Sequence, residues 1–140
     1  MEYLEQFQGR FVGVMQWDDC KMLLAYLIHH PSNWYVYDTL DEAPNAVSTE
    51  ADFINKITCI KHILTTEHQA RYCGIVYVDH LTTPSFVKIF HPHHLGKSCG
   101  SSDSPPIPRW LLSKTAPQAV TAKSASSPPI QGFLSKYFKL

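Results

Sequence analysis

His91, His93, His94 and Cys99 place three imidazoles and a thiol in one short stretch. Imidazole nitrogen and thiolate sulfur are the ordinary ligands of Zn and Cu, and a glycine-rich loop lets a cysteine fold back onto them. His-x-His spacing at the end of a strand puts both rings on the same side. Pro92 interrupts such a strand, however, and the spacing matches no established zinc pattern, so the plain alternative is a polar loop rich in histidine. Asp79 and His80, in the turn before the same strand, are further candidate ligands. Cys99 also reads as a nucleophile activated by a neighbouring His, with the amides of Gly100, Ser101 and Ser102 holding an anion. The sequence identifies no third group to orient that base. The paired carboxylates Asp18 and Asp19 read as helix-cap residues rather than catalytic acids.

A second cluster of chemistry sits at the end of the sequence, in Ile130-Gln131-Gly132-Phe133-Leu134-Ser135-Lys136-Tyr137-Phe138-Lys139-Leu140. This burst of large apolar groups would be an aggregation liability if left in water. It therefore calls for a cover: its own domain, a membrane surface or a partner's groove.

The elements that must position these groups follow from apolar periodicity and breakers. Phe11 to Trp17 is apolar and β-branched enough for a strand. Asp18 and Asp19 then start a helix over Cys20 to His30, which Pro31-Ser32-Asn33 ends. Trp34 to Asp38 reads as a short aromatic strand. Thr49 and Asp52 open a second helix in which Phe53, Ile57, Ile60 and Leu64 recur at helical spacing. Tyr72 to Asp79 is apolar on both faces, as in a central strand, and Phe86 to Phe90 reads as its hairpin partner. The order β-α-β-α-β-β predicts an α+β or α/β fold, a mixed four-stranded sheet with two helices packed on it. Trp110-Leu111-Leu112 is expected to fold back and close the core. Residues 1–113 read as one compact domain, 114–129 as a disordered Ser/Ala/Pro linker and 130–140 as a docking peptide.

Composition narrows the function classes. Seven Phe, seven Tyr and three Trp are enough to fill a core. Twelve basic residues balance twelve acidic ones, so no global field favours direct nucleic-acid binding. No apolar run approaches the roughly 20 residues of a membrane span. The acidic start, Met1-Glu2-Tyr3-Leu4-Glu5, lacks the features of a signal peptide, which predicts a cytoplasmic protein, or a nuclear one in a eukaryotic host. In that reducing compartment Cys20, Cys59 and Cys73, which form no CxxC pair, read as small buried hydrophobes rather than disulfide partners.

Gln131, Leu134, Tyr137 and Phe138 carry a resemblance. Their spacing is similar to the Q-x-x-[LIM]-x-x-[FY]-[FY] pattern of the PIP box, the peptide that binds PCNA-type sliding clamps. The likeness covers eight residues and implies a partner rather than a fold. It implies a single 3₁₀ turn that gathers Leu134, Tyr137 and Phe138 into an apolar plug, with Gln131 hydrogen-bonding at the pocket rim. Ile130, Phe133, Leu134, Tyr137 and Phe138 also fit the spacing of an amphipathic helix docking on its own domain. The segments QWDDCKMLLAYLIHH, YCGIVYVDH and HHLGKSCGSS resemble small uncharacterised bacterial proteins, which implies no activity. The sequence thus reads as a non-enzymatic adaptor engaging a partner, a sliding clamp among the candidates, through its terminal peptide. The alternative is a small metal-binding or redox protein that uses His91, His93, His94 and Cys99 to hold Zn or Cu.

Overall fold

The computed structural model describes residues 2–93 and 107–120. Along the chain run α1 (Tyr3–Phe7), β1 (Val12–Val14), α2 (Trp17–His29), β2 (Tyr35–Asp38), α3 (Glu50–Glu67), β3 (Val76–Val78), β4 (Phe86–Ile89) and β5 (Trp110–Ser113). The strands form one sheet in the order β1-β3-β4-β5-β2, and every neighbouring pair is antiparallel. The fold is therefore α+β. The expected four-stranded mixed sheet with two helices is corrected to five antiparallel strands with three helices among the described residues.

Two differences account for that correction. Trp110-Leu111-Leu112-Ser113 does not merely cover the core: it is inserted as β5 between β4 and β2. All four residues are buried, so the strand lacks the alternation that marks a half-buried one. The added helix, α1, is only five residues long, too short to show a helical period; Glu2 and Glu5 hold its start by a reciprocal capping box.

Each face of the sheet carries its own core. On one face α2 places Cys20, Leu23, Leu24 and Leu27, and α3 places Phe53, Ile57, Ile60 and Leu64, against Val14, Val76, Val78, Val87, Ile89, Trp110 and Leu112. The expected α3 stripe is buried throughout, and Thr49 caps the helix by accepting the Asp52 amide proton at 3.1 Å. On the other face Tyr3 and Phe7 of α1 join Phe11, Tyr37, Phe86, Leu111 and Val120. Adjacent residues of β4 and β5 thus serve opposite cores, as strand geometry requires.

Further details depart from expectation. Gln16, not Asp18 or Asp19, occupies the N-cap of α2, and the two aspartates fall in its first turn, where negative charge suits the helix dipole. Cys59 is exposed on α3, whereas Cys20 and Cys73 are buried as expected, and all three are free thiols. Packing also continues beyond residue 113: the Val120 side chain is buried and its amide donates to the Tyr37 hydroxyl at 3.4 Å. Among the described residues no helix is long and apolar enough to cross a membrane.

Candidate functional site

The end of β4 brings part of the histidine cluster together. The chain leaves the strand at Phe90, whose amide donates to the Ile75 carbonyl at 2.9 Å, and turns through His91, Pro92 and His93. The turn is closed by the His93 amide, which donates to Nδ1 of His91 at 3.1 Å. The two rings lie on the same side, 5.5 Å apart, as the His-x-His spacing implies. Glu67, the last residue of α3, comes to both: its Oε1 is 3.1 Å from Nε2 of His93 and 4.0 Å from Nε2 of His91. His91 packs on the Trp110 ring at 5.8 Å, while His93 is open to solvent.

Chemically this is a carboxylate facing two imidazoles. An imidazole whose Nδ1 accepts a proton carries its own on Nε2, so His91 presents a donor to Glu67 rather than a lone pair. Among the described residues no group of three or more His, Cys, Asp or Glu side chains is set to hold a metal ion. His94 and Cys99 lie outside the described residues, as do Gly100, Ser101 and Ser102. Asp79 is occupied elsewhere: its carboxylate accepts the amides of His80, Ser85 and Phe86 and the Ser85 hydroxyl, which fixes the β3–β4 turn. Gln131, Leu134, Tyr137 and Phe138 also lie outside the described residues.

A second constellation joins two cysteines that are far apart in the chain. Cys20, one turn into α2, and Cys73, just before β3, are both buried in the larger core. The segment carrying Cys73 is clasped onto β1: the Cys73 amide donates to the Met15 carbonyl at 2.7 Å and the Gly74 amide to the Val14 carbonyl at 3.0 Å. Gly74 then turns at φ +66°, a left-handed conformation that favours glycine. The neighbouring Cys20 side chain, followed by the backbone amides of Ile75 and Val76, holds the Cys73 thiol below its ordinary range despite burial. The Cys73 side chain, with burial second, pushes the Cys20 thiol up. Tyr77 feels the pair too, its phenol raised by burial and then by the charge of Cys73.

Trp17 and His68 anchor the exposed loop that joins α3 to β3. The Trp17 indole donates to the Ala70 carbonyl at 2.9 Å, and Nε2 of His68 donates to the Cys73 carbonyl at 2.7 Å. The rings of Trp17 and His68 stand 5.7 Å apart. Residues 69–72 between these anchors are exposed. No family model, curated protein or solved structure matches this chain. Sequence reasoning missed that Cys20 and Cys73 share one core, because nothing in their spacing signals it. Glu67 was missed for the same reason, being joined to the histidines only by the packing of α3 beside the end of β4.

Proposed function

We propose that the protein is a non-enzymatic adaptor whose folded domain carries a C-terminal docking peptide for another protein. The observation that carries this reading is the spacing of Gln131, Leu134, Tyr137 and Phe138 after a stretch poor in large apolar residues. The described members of both cores, from Tyr3 to Val120, already cover the two faces of the sheet, which supports a domain that presents the peptide rather than needing it. A groove lined with apolar side chains would take Leu134, Tyr137 and Phe138, and an acidic surround would suit Lys136 and Lys139. A PCNA-type sliding clamp is the first partner to try.

The test is a Tyr137→Ala/Phe138→Ala chain, assayed by pull-down with a purified sliding clamp and by thermal melting. The expected result is lost capture with an unchanged melting temperature. A melting temperature lowered by several degrees would instead make the peptide part of the domain's own core.

The alternative, a Zn or Cu site of His91, His93, His94 and Cys99, is favoured by the two imidazoles placed on one side of the β4 end. Metal analysis of the purified protein separates the readings. Stoichiometric Zn or Cu supports the site, and a metal-free protein indifferent to chelators removes it.

A further inference from the structure

We infer that residues 133–137 are an alternative occupant of the seat that α1 fills, so that the smaller core withholds the terminal peptide when no partner has it. This rests on residues 130–140 being a docking peptide, and it adds a site on the same chain that competes for them. The α1 helix reads Tyr3-Leu4-Glu5-Gln6-Phe7, and the terminal segment reads Phe133-Leu134-Ser135-Lys136-Tyr137. Both run aromatic, leucine, two polar residues, aromatic. In a helix, rings four residues apart fall on one face.

The contacts of α1 define what the seat accepts. Tyr3 and Phe7 are buried, their ring centres 5.0 and 6.5 Å from that of Phe86, and Leu4 packs beside them. The Phe7 ring also faces the Lys88 ammonium at 4.4 Å. Phe133, Leu134 and Tyr137 repeat these side chains in order, with the hydroxyl moved to the other ring. That move relieves a defect. The Tyr3 hydroxyl is buried without a hydrogen-bond partner among the described residues, and the neighbouring Ser113 hydroxyl donates elsewhere, to the Thr115 carbonyl at 2.7 Å. Phe133 in that place buries no unsatisfied polar group. The resident helix keeps the advantage in other respects. Glu2 and Glu5 cap it reciprocally, and Gln6 accepts the Thr115 hydroxyl proton at 3.0 Å. Gly132 and Lys136, at the positions of Glu2 and Gln6, supply neither an acidic cap nor an acceptor.

The point from which the tail departs favours exchange within one chain. Val120, the last described residue, is itself a member of the smaller core. Residues 121–132 reach up to roughly 40 Å when extended, ample to return to α1. A tether of that length holds the segment at an effective concentration on the order of millimolar.

The experiment uses the full chain with Tyr137→p-benzoylphenylalanine, irradiated and mapped by mass spectrometry, beside pull-down of the unsubstituted chain with a purified sliding clamp. The expected result is a cross-link within one chain from position 137 to the peptides carrying Phe86 or Leu111, accumulating with irradiation because each bond formed is permanent. Adding Tyr3→Ser and Phe7→Ser, which empties the seat, should raise its initial rate by roughly tenfold or more. If that variant fails to fold, the cross-link map of the chain with intact α1 decides alone. Cross-links only to a second copy, or only to peptides outside the smaller core, overturn the inference, as does a rate unchanged when α1 is disabled. Clamp capture with no such cross-link overturns the exchange and leaves clamp docking in place. A cross-link to the smaller core without capture supports the exchange and removes the clamp as the partner.

Discussion

Lys88 stands on β4, the middle strand of the sheet, on the face that carries α1. Its Nζ lies 4.4 Å from the ring centre of Phe7 and 4.0 Å from that of Phe11. Aromatic faces attract an ammonium by about 0.5–2 kcal/mol each. No carboxylate among the described residues pairs with it, and burial pushes its pKa down to about 7 from 10.5. The sign of the linkage follows. Above pH 10.5 the amine is neutral in both the folded and unfolded chains. As pH falls toward 7 the unfolded chain takes up a proton that the folded one refuses, so stability declines, by at most about 1.4 kcal/mol per pH unit. Below about 7 both forms are charged and the penalty is constant. Lys88→Met keeps the apolar stem and removes the titration. Its melting temperature should exceed that of the unsubstituted protein at pH 7, with the gap shrinking as pH approaches 10.5. Parallel melting curves between pH 6 and 10.5 would show that the two phenyl rings fully offset the burial.

At the scale of elements, the β3–β4 hairpin depends on one side chain. Asp79 accepts from the amides of His80 at 2.9 Å, Ser85 at 2.9 Å and Phe86 at 3.1 Å, and from the Ser85 hydroxyl. Hydrogen bonds to an ionised acceptor contribute about 1.5–3 kcal/mol each, and their contributions overlap where they share one carboxylate. Asp79→Ala should therefore cost about 2–3 kcal/mol in denaturant unfolding, with Asp79→Asn intermediate. A cost below roughly 0.5 kcal/mol, the ordinary surface value, would mean that the turn holds its shape without the carboxylate. The pairing of β3 with β4 was legible because both segments are short, apolar and joined by a turn. The α3 stripe was legible because four buried residues repeat at helical spacing behind a Thr49 cap. β5 was not, since Trp110-Leu111-Leu112 is apolar on both faces and its neighbours in the sheet, β2 and β4, lie elsewhere in the chain. The candidate sites divide in the same way. His91 and His93 are local and were readable, whereas the approach of Glu67 and the placing of Cys20 and Cys73 in one core are products of tertiary packing.

Among the described residues the sheet lies between two unequal cores, and the smaller one extends past β5. That core is assembled from both ends of the described chain: Tyr3 and Phe7 from α1, Val120 from the segment after β5, with Phe86 and Leu111 beneath them. The Tyr3 and Phe86 rings meet at a tilt with centroids 5.0 Å apart, and Thr115 donates its hydroxyl proton to the Gln6 side-chain oxygen at 3.0 Å, joining α1 to the chain after β5. On the opposite face the Lys114 ammonium sits 4.3 Å from the ring centre of Trp34 and donates to the Ser32 carbonyl at 2.6 Å. Residues 114–120, which composition alone assigns to a linker, thus make contacts on both sides of the sheet. A chain ending at residue 113 loses the burial of Val120, about 1.5 kcal/mol or more, together with the Thr115 and Lys114 hydrogen bonds. At the sensitivity of a domain this size, its melting temperature should fall by roughly 5 °C or more. A chain ending at residue 120 keeps every one of these contacts and should melt with the full-length protein if residues 121–140 serve as a tether and docking peptide. Melting the three lengths side by side separates the roles. Equal melting of the 113-residue and 120-residue chains would deny residues 114–120 their place in the smaller core. A drop already present at residue 120 would move the terminal peptide from the partner's groove onto this domain.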